Sequence, residues 1–434
     1  MDLEQIYQIF RKSTGVCTDS RVLKEGELFF ALKGDNFDGN KFAHKALEKG
    51  ALYSIVDDKT VPSHDRIIVV DDVLRKLQEL AHFHRKALDI PIIGITGTNG
   101  KTTTKELVSS VLSTKYKTAF TKGNLNNHIG VPLTLLQMDE SIQIGVVEMG
   151  ASAPGEIASL VEICEPNYGI VTSVGKAHLQ GFGSLEGVKK TKGELYDFLK
   201  KHGGVIFFNA DNPDIYAMVK EREPVSCFPY GLRFDNAEIF PVTIDNPFLK
   251  IKFKNGKIVE THLIGSYNAD NVMAALAVGK HFGTDTDASV EAIKNYLPTN
   301  NRSQLTEGKY NMLIVDAYNA NPTSMKAALS SFRELNADRT ALILGDMLEL
   351  GEESQKEHRE VLKITSDMNV EKLFFVGNEF ATALPYFTDL SLKSKTFLTS
   401  SELRDYLLLN PLNGYTVLIK GSRGIAVEKV IDVL

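Results

Sequence analysis

Apolar stretches of strand length alternate with segments of helix length along most of the chain of 434 residues. The runs PIIGIT at 91–96 and MLIVD at 312–316 are short and apolar, which is typical of buried strands. A repeated order of strand, helix and strand indicates α/β units built on parallel sheets. We therefore expect a mostly parallel α/β protein, with no fixed-period repeat and no low-complexity tract.

The pattern divides the chain into three blocks, which we predict to be three domains. Residues 1–88 form a smaller N-terminal α/β domain that ends in a helix predicted over Val73–Leu88. Asp89-Ile90-Pro91 then breaks the pattern, because the residue before a proline is displaced from helical geometry. The predicted strands of this domain are Glu27–Leu32, Tyr53–Val56 and Arg66–Val70.

The second block, residues 89–302, is predicted to be the central domain and opens with the buried strand that begins at Ile92. Its stretch 203–261 indicates strands and turns. Small and apolar residues at helical spacing then predict a helix over Gly265–Phe282. The polar, turn-rich segment LPTNNRS at 297–303 indicates a linker to the next domain.

The third block, residues 303–434, alternates strands and helices again. This order predicts a small doubly wound, Rossmann-like domain. Its predicted strands are Met312–Asp316, Thr340–Leu344, Lys372–Val376 and Tyr415–Ile419. Its predicted helices are Thr323–Leu335 and Ser354–Met368.

Composition excludes several classes of protein. Hydrophobic residues make up 43% and charged residues 24% of the chain, as in ordinary globular proteins. The formal net charge of −6 offers no positive field for nucleic acid, and no apolar run approaches the roughly 18 residues that cross a bilayer. Cys17, Cys164 and Cys227 are odd in number and far apart, which indicates free thiols in a reducing compartment. We expect a cytoplasmic monomer that neither binds nucleic acid nor inserts into membranes.

A glycine-rich segment, GITGTNGKT at 94–102, lies between the first strand of the second block and a predicted helix. At such a junction, backbone N–H groups converge on an anion and the helix N-terminus adds partial positive charge. Lys101 then reaches the β- and γ-phosphates of a nucleotide, and the Thr102 hydroxyl is placed to ligate Mg²⁺. Ile95 stands where the pattern G-x-x-x-x-G-K-[ST] has its first glycine, so a tight structural turn is the alternative. The predicted nucleotide-binding residues here are Gly97, Thr98, Asn99, Gly100, Lys101, Thr102 and Thr103.

Several segments, taken in order, resemble the Mur ligase family, whose members build the peptide of bacterial cell-wall precursors. The loop GTNGKT alone is also similar to that of folylpolyglutamate synthases. The other segments are therefore needed to distinguish the Mur ligases from those synthases. These segments are TDSR (18–21), ALKGDNFDGNKFA (31–43), GNLNNHIGVPLTLL (123–136), EMGASAPGEI (148–157), TSVGKAHLQGFGSLEGVKKTKGEL (172–195), GSYNADNVMAA (265–275), DAYNANPTSM (316–325) and GDMLELG (345–351).

The resemblance implies a fold and an activity. It implies an N-terminal domain for a UDP-sugar peptide, a central P-loop ATPase domain, and a C-terminal domain that closes over the site. The segments are most similar to the family member that joins D-alanyl-D-alanine to UDP-N-acetylmuramoyl-tripeptide, with ATP and Mg²⁺ as cofactors and an acyl phosphate as intermediate. The alternatives are another amino-acid ligase of the family, a folylpolyglutamate synthase-like ligase, or a nucleotide-dependent binding protein without catalysis.

Candidate metal ligands follow from the same segments. Glu148 ends a predicted strand, where an α/β fold places a metal ligand, although a solvated acid is the alternative. The resemblance implies that Glu148, His178 and Thr102 hold Mg²⁺, and that Lys192 carries a carbamate that helps to position a second ion. For a lone histidine and a lysine at a basic helix start, structural and solvated roles are the alternatives. The implied catalytic residues are Lys101, His178, Lys192 and Asn127.

The remaining candidates contact nucleotide or substrate. Asn268 and Asn271 lie three residues apart on one helix face, where amides pair with an adenine edge, and a capping pair is the alternative. The resemblance implies that Arg302 contacts phosphate and Asp316 the ribose. The residues implied to bind the UDP-sugar end are Ser20, Arg21, Gly34 and Asp38. The resemblance implies further substrate contacts at Asn126 and Asn127, and the loop that faces the cleft supplies Tyr318, Asn319 and Asn321. A basic cluster at a strand's carboxyl end suits an anionic substrate, with an ordinary surface turn as the alternative; its residues are Lys420, Ser422 and Arg423.

Overall fold

The computed structural model describes residues 1–298 and 302–434. Its N-terminal domain is a four-stranded parallel sheet with helices packed against it. Its strand order is β1-β2-β5-β6, and β3 and β4 form a separate two-stranded hairpin. The strands are β1 (Val16–Cys17), β2 (Leu28–Phe30), β3 (Lys33–Gly34), β4 (Phe37–Asp38), β5 (Tyr53–Val56) and β6 (Ile67–Val69). The helices are α1 (Leu3–Phe10), α2 (Ala43–Glu48) and α3 (Val73–Leu88).

The central domain is a six-stranded parallel sheet in the order β12-β11-β10-β7-β9-β8, followed by a three-stranded antiparallel sheet. The strands are β7 (Ile92–Thr96), β8 (Thr118–Phe120), β9 (Ile144–Glu148), β10 (Tyr168–Val171), β11 (Val205–Asn209), β12 (Ser226–Tyr230), β13 (Ala237–Ile239), β14 (Phe248–Phe253) and β15 (Ile258–Ile264). The helices are α4 (Lys101–Leu112), α5 (Gly130–Leu136), α6 (Glu156–Cys164), α7 (Leu179–Phe182), α8 (Leu185–His202), α9 (Pro213–Arg222), α10 (Ala269–Phe282) and α11 (Thr286–Lys294).

The C-terminal domain is a six-stranded sheet in the order β16-β17-β21-β18-β19-β20, in which only β16 runs antiparallel. The strands are β16 (Gln304–Glu307), β17 (Met312–Asp316), β18 (Thr340–Gly345), β19 (Lys372–Val376), β20 (Ser394–Phe397) and β21 (Thr416–Lys420). The helices are α12 (Pro322–Glu334), α13 (Ser354–Ser366), α14 (Asn378–Ala383), α15 (Thr388–Lys393) and α16 (Ser400–Leu409). Across the described ranges, 1–298 and 302–434, no helix is both long and apolar enough to cross a bilayer.

The predicted α/β architecture is confirmed, but the prediction for one stretch was wrong. The interpretation of 203–261 as strands and turns missed α9. Pro213 occupies the first turn of this helix, and the Asn212 side chain accepts hydrogen bonds from the N–H groups of Asp214 and Ile215. An Asn-Pro pair therefore starts a helix here instead of a turn. In the predicted linker, residues 299–301 lie outside the described residues.

Helix α3 joins the N-terminal and central domains. It is the last element of the N-terminal domain, and it packs against α5 and α6 of the central domain. Its buried Leu77 and Leu80 belong to one hydrophobic cluster with Val131 and Leu135 of α5. Arg85 is 5% exposed and donates to the carbonyl oxygens of Cys164 and Glu165 at 2.9 and 3.0 Å, and to Oδ1 of Asn167 at 3.0 Å. The N-terminal sheet is thus held on the central domain by apolar packing and one buried guanidinium.

Replacing this guanidinium tests the connection. We expect Arg85→Met to lower the free energy of unfolding by about 2–4 kcal/mol, because buried carbonyls lose their donors. The neighbouring Lys86 is half-exposed and pairs with Glu165 at 3.3 Å, so Lys86→Met serves as the control and is expected to cost at most about 1 kcal/mol. Urea unfolding followed by circular dichroism measures both variants. Equal losses would contradict the proposed connection.

Candidate active site

The phosphate loop follows β7 and passes directly into α4. Gly97 has φ of +146° and Gly100 has φ of +82°, conformations that favour glycine. A Cβ atom on Gly97 would lie 2.1 Å from the Thr172 hydroxyl oxygen, and one on Gly100 would lie 2.5 Å from Oδ1 of Asn271. The loop backbone is therefore packed directly against β10 and α10, with no room for a side chain at either glycine.

Lys101 is the first residue of α4 and its side chain turns back over the loop. Its Nζ atom donates to the carbonyl oxygens of Gly97 at 2.7 Å and Thr98 at 3.1 Å. Burial lowers the pKa of Lys101 from its ordinary value, and Arg302 lowers it further while Glu148 opposes the shift. The lysine amine is thus held over the loop by backbone carbonyl oxygens, at the N-terminus of α4, a position that suits an anionic ligand.

A cavity of about 650 Å³ lies between the central and C-terminal domains and collects most of the predicted residues. The predicted residues that line it are Thr98, Asn99, Gly100, Lys101, Thr102, Thr103, Asn126, Asn127, Glu148, His178, Asn268, Asn271, Arg302, Asp316, Tyr318, Asn319 and Lys420. The predicted residues outside its lining are Ser20, Arg21, Gly34, Asp38, Gly97, Lys192, Asn321, Ser422 and Arg423.

Glu148 ends β9 and is only 1% exposed. Its Oε1 atom accepts a hydrogen bond from the Asn126 amide at 2.8 Å, whereas its Oε2 atom has no hydrogen-bond partner. A buried carboxylate oxygen without a partner is costly unless a cation satisfies it. The described residues contain no group of three or more His, Cys, Asp or Glu side chains that could enclose a metal. An ion here would use Glu148, the Thr102 hydroxyl and oxygens of its ligand, which is the usual arrangement for Mg²⁺.

His178 lines the cavity from the loop before α7 and has a left-handed backbone, with φ of 49°. Its Nδ1 atom is in ion-pair contact with Glu349 of the C-terminal domain, although the angle of this contact is outside hydrogen-bond geometry. Burial lowers the pKa of His178, with Lys101 and Lys192 adding to the shift and Glu349 opposing it. The structure therefore brings His178 next to both predicted lysines.

Lys192 lies on α8 and is 2% exposed. Its Nζ atom donates to the carbonyl oxygen of Ala151 at 3.3 Å and lies 5.2 Å from the centre of the Phe182 ring. Burial lowers the pKa of Lys192 to about 7, and Lys101 adds to this shift. An appreciable fraction of this amine is neutral near neutral pH, unlike that of a solvated lysine. The alternative of a solvated charge is therefore wrong.

Asn268 and Asn271 are linked to each other and to helix α4, which follows the phosphate loop. The Asn271 amide donates to Oδ1 of Asn268 at 2.8 Å, and Oδ1 of Asn271 accepts from the Thr104 hydroxyl at 2.9 Å. Asn268 immediately precedes α10, so the pair occupies the start of the helix. Both residues line the cavity, so a nucleotide base would contact groups that this chain already orients.

The C-terminal side of the cavity carries paired charges. Lys420 is 1% exposed, and its Nζ atom donates to Oδ2 of Asp316 at 2.6 Å. We predicted separate ligands for these two residues, but each is the principal partner of the other. The Arg302 guanidinium lies 3.5 Å from the centre of the Tyr318 ring, and that of Arg423 lies 5.5 Å from it. Tyr318 therefore contacts two cations at the edge of the cavity.

Several predicted substrate residues also have structural partners. Oδ1 of Asn127 accepts from the N–H groups of Ile129 and Gly130 at the start of α5, at 3.1 and 2.9 Å. Asn321 caps α12, and its amide also donates to Oδ1 of Asn99 in the phosphate loop at 2.8 Å. The Ser422 hydroxyl is 2% exposed and accepts from the N–H of Leu348 at 3.0 Å. Asn321 and Ser422 thus stabilise loops around the cavity, because helix starts and buried turns use their polar atoms.

The N-terminal candidates lie at the carboxyl edge of their own sheet, since they follow the parallel strands β1 and β2. Ser20 is buried, and its carbonyl oxygen accepts from Lys49 at 2.7 Å. Arg21 is exposed and binds the Asp19 carboxylate in a bidentate manner, which lowers the pKa of Asp19 to about 2. Gly34 and Asp38 form the β3–β4 hairpin, with Asp38 accepting from the neighbouring Asn40 backbone and amide.

Some residues of the cavity were not predicted. Thr172 and Ser173 follow β10, and both hydroxyls donate to the carbonyl oxygen of Asn99, at 2.6 and 3.1 Å. Glu156, in the first turn of α6, also lines the cavity. These three residues lie at a strand end or a helix start, within segments that carry the family resemblance. Those two features could have identified them as site candidates from the sequence. Glu349, in GDMLELG, could not be connected to His178 without the structure.

Three models of the Mur ligase family match successive parts of the chain. The "Mur ligase family, catalytic domain" matches residues 12–85, the "Mur ligase middle domain" matches 95–279, and the "Mur ligase, glutamate ligase domain" matches 301–423. The UDP-N-acetylmuramoyl-tripeptide--D-alanyl-D-alanine ligase of Bacillus subtilis (strain 168) is 35% identical over 430 residues, which cover 96% of this chain and 92% of that protein. The chain belongs to the Mur ligase family.

Solved structures of the family agree with this assignment. A crystal structure of MurF from Acinetobacter baumannii is similar with a TM-score of 0.86 and 27% identity, over 99% of this chain and 97% of that one. MurF ligase from Thermotoga maritima in complex with ADP is similar with a TM-score of 0.83 and 26% identity, over 98% and 97% of the two chains. The fold is thus the three-domain Mur ligase fold, and the enzyme is an ATP-dependent ligase that forms a C–N bond.

The steric constraint on the phosphate loop is testable. We expect Gly100→Ala to weaken ADP binding by at least about tenfold, because its Cβ would displace Asn271 and the loop backbone. Gly256, in a hairpin, has a similar φ of +86°, but a Cβ atom added there would meet nothing within 4 Å. Gly256→Ala is therefore the matched control, and calorimetric titration with ADP measures both. Unchanged affinity in Gly100→Ala would show that the loop has been misinterpreted.

Proposed function

We propose that this enzyme joins D-alanyl-D-alanine to UDP-N-acetylmuramoyl-tripeptide in peptidoglycan precursor synthesis. The observation that carries the proposal is the cavity, which brings Lys101, Glu148 and His178 of the central domain to face Lys420 of the C-terminal domain, with Arg302 at the boundary between the two. Such a space holds a triphosphate and an acceptor carboxylate together. The name of the Bacillus subtilis relative, which aligns over nearly the whole chain, supports this choice of substrates.

The reaction needs an activated carboxylate. A carboxylate oxygen of the tripeptide attacks the γ-phosphorus of ATP, which breaks the bond to the β,γ-bridging oxygen and gives an acyl phosphate and ADP. The amine of D-alanyl-D-alanine then attacks the acyl carbon, loses a proton, and expels inorganic phosphate as the amide forms. Every stage places negative charge on phosphate or carboxylate oxygens, so fixed cations carry much of the stabilisation.

The residues of the chain divide this work. The loop amides and Lys101 bind the phosphates, with Asn268, Asn271, Arg302 and Asp316 around the nucleoside and phosphates. Mg²⁺, bound through Glu148 and Thr102 with His178 beside them, would neutralise charge on the phosphate oxygens. We propose that Lys192 is carbamylated and that Tyr318, Asn319, Lys420 and Arg423 face the acyl and dipeptide groups.

We also propose a division of labour among domains. Residues 1–88 would bind the UDP-sugar end through Ser20, Arg21, Gly34 and Asp38, residues 89–302 the ATP, and residues 303–434 the closing side of the site. A cytoplasmic location and a monomeric state complete the proposal, since ATP and nucleotide-linked precursors are cytoplasmic compounds.

The substrates are tested by measuring phosphate release with ATP, Mg²⁺ and UDP-muramoyl-tripeptide. The amine offered in separate reactions is D-alanyl-D-alanine, L-alanine, D-glutamate or glutamate. Release with a different amine would favour another ligase of the family.

Lys101 provides the most direct mutational test. We expect Lys101→Ala to reduce turnover by at least about 10³-fold, because a partly buried cation next to the transferred phosphoryl group is lost. Lys122 is exposed on the neighbouring loop and outside the cavity lining. Turnover of both variants is measured by a coupled assay of ADP formation, and Lys122→Ala should keep wild-type turnover. Activity that survives Lys101→Ala would refute the assigned role of the loop.

Lys192 is expected to react with CO₂. Because its pKa is lowered to about 7, the neutral amine increases as the pH rises through neutrality, and it adds to CO₂ with loss of one proton. At fixed CO₂ pressure, a carbamate carbon signal from ¹³CO₂ should grow between about pH 6 and pH 8. Lys192→Met should lose both the signal and activity, whereas the exposed Lys190→Met on the same helix should keep both. A signal that persists in Lys192→Met would assign the carbamate elsewhere.

A further inference from the structure

The loop that carries His178 is held by the C-terminal domain. Leu179 belongs to the C-terminal hydrophobic cluster together with Met347 and Leu350. The N–H of Gln180 donates to the carbonyl oxygen of Glu349 at 3.3 Å. Close by, Nζ of Lys176 donates to Oε1 of the buried Glu357 at 2.5 Å. The residues on both sides of His178 are therefore fixed by the segment GDMLELG (345–351) and helix α13.

Glu349 is the residue of this segment that reaches His178 itself. Its carboxylate contacts Nδ1 of His178, and both residues have left-handed backbones, with φ of 62° and 49°. The Glu349 side chain is 61% exposed, and a pair with such an exposed partner contributes at most about 1 kcal/mol to stability. Stabilisation of the fold is thus a poor explanation for the contact, whereas orientation of the imidazole ring is a sufficient one.

We propose that Glu349 is a positioning residue, whose carboxylate lies against Nδ1 of His178, favours the proton on that nitrogen and thereby leaves the Nε2 lone pair available to the active-site cavity. A neutral imidazole has two tautomers, and the group bonded to one nitrogen decides which nitrogen is free. A neutral ring can offer its lone pair from either nitrogen, so the choice of tautomer determines what the ring presents to the cavity. The inference rests on the proposed function, in which His178 lies beside the bound Mg²⁺.

The two residues belong to different domains. His178 follows the central sheet, whereas Glu349 follows β18 of the C-terminal sheet. Glu349 reaches Nδ1 only when α7 lies against the segment GDMLELG, so docking of the domains and orientation of the catalytic imidazole are one event. A nucleotide bound before docking would meet a histidine whose tautomer is not yet selected.

The tautomer can be measured without turnover. Histidine ring ¹⁵N spectra are recorded on ADP-bound enzyme, and His178→Gln identifies the His178 signals. Wild type is expected to show the Nδ1–H tautomer, and Glu349→Ala to shift toward Nε2–H, the form that predominates in free histidine. Glu349→Gln retains an acceptor oxygen and should keep the wild-type pattern. Glu352 is exposed and lies directly after this segment, so Glu352→Ala is the matched control and should change nothing.

Kinetics supply the second readout. Glu349→Ala should lower kcat by about 10- to 100-fold, as for other groups that orient an active-site histidine, with KM for D-alanyl-D-alanine within about twofold of wild type. Glu349→Gln should recover most of kcat. Thermal unfolding confirms that the variants remain folded.

Identical His178 tautomers in wild type and Glu349→Ala would overturn the inference, as would a Glu349→Gln variant with kcat as low as that of Glu349→Ala. If wild-type enzyme released no phosphate with D-alanyl-D-alanine, the proposed function would fail. The ¹⁵N comparison would still decide the role of Glu349, because it requires only ADP-bound protein.

Discussion

The contact between the phosphate loop and the elements beneath it is the constraint on which the active site depends. Gly97 and Gly100 bring the loop backbone against Thr172 and Asn271 so closely that no Cβ atom fits. The path of the loop backbone is therefore fixed before any ligand arrives, and the N–H groups of Thr98 and Asn99 donate to the carbonyl and hydroxyl oxygens of Ser173. Preorganised amides at a helix N-terminus hold phosphate without the cost of ordering a flexible loop. The position of every other group in the cavity is defined relative to this loop.

Local charge, rather than net charge, governs the site. The chain carries a formal charge of −6, yet the cavity gathers Lys101, Arg302 and Lys420 around a single space. Burial lowers the pKa of Lys101 and of Lys192, because desolvated cations packed together disfavour further protonation. Such a site gains most from anionic ligands, whose charge offsets both the desolvation and the mutual repulsion of the cations.

The sequence was most informative where function depends on local pattern. The glycines of the phosphate loop, several strand ends and the helices α3, α4, α10, α12 and α13 follow from residue type and spacing, so they could be predicted from the sequence alone. Partners across the fold were not predictable in this way: the Asp316–Lys420 pair joins residues 104 positions apart. The capping role of Asn127 and the burial of Ser422 depend on tertiary packing. Glu349 belonged to a recognised segment, but only the docked domains place it against His178.

Transfer of the γ-phosphoryl group to a carboxylate oxygen is the central claim, and an isotope experiment tests it most directly. UDP-N-acetylmuramoyl-tripeptide labelled with ¹⁸O in its reacting carboxylate is incubated with ATP, Mg²⁺ and D-alanyl-D-alanine. We expect each inorganic phosphate released to carry one ¹⁸O from the carboxylate. The carboxylate oxygen bridges carbon and phosphorus in the acyl phosphate, and it leaves with the phosphate when the amide forms. Amide product accompanied by unlabelled phosphate would contradict this mechanism.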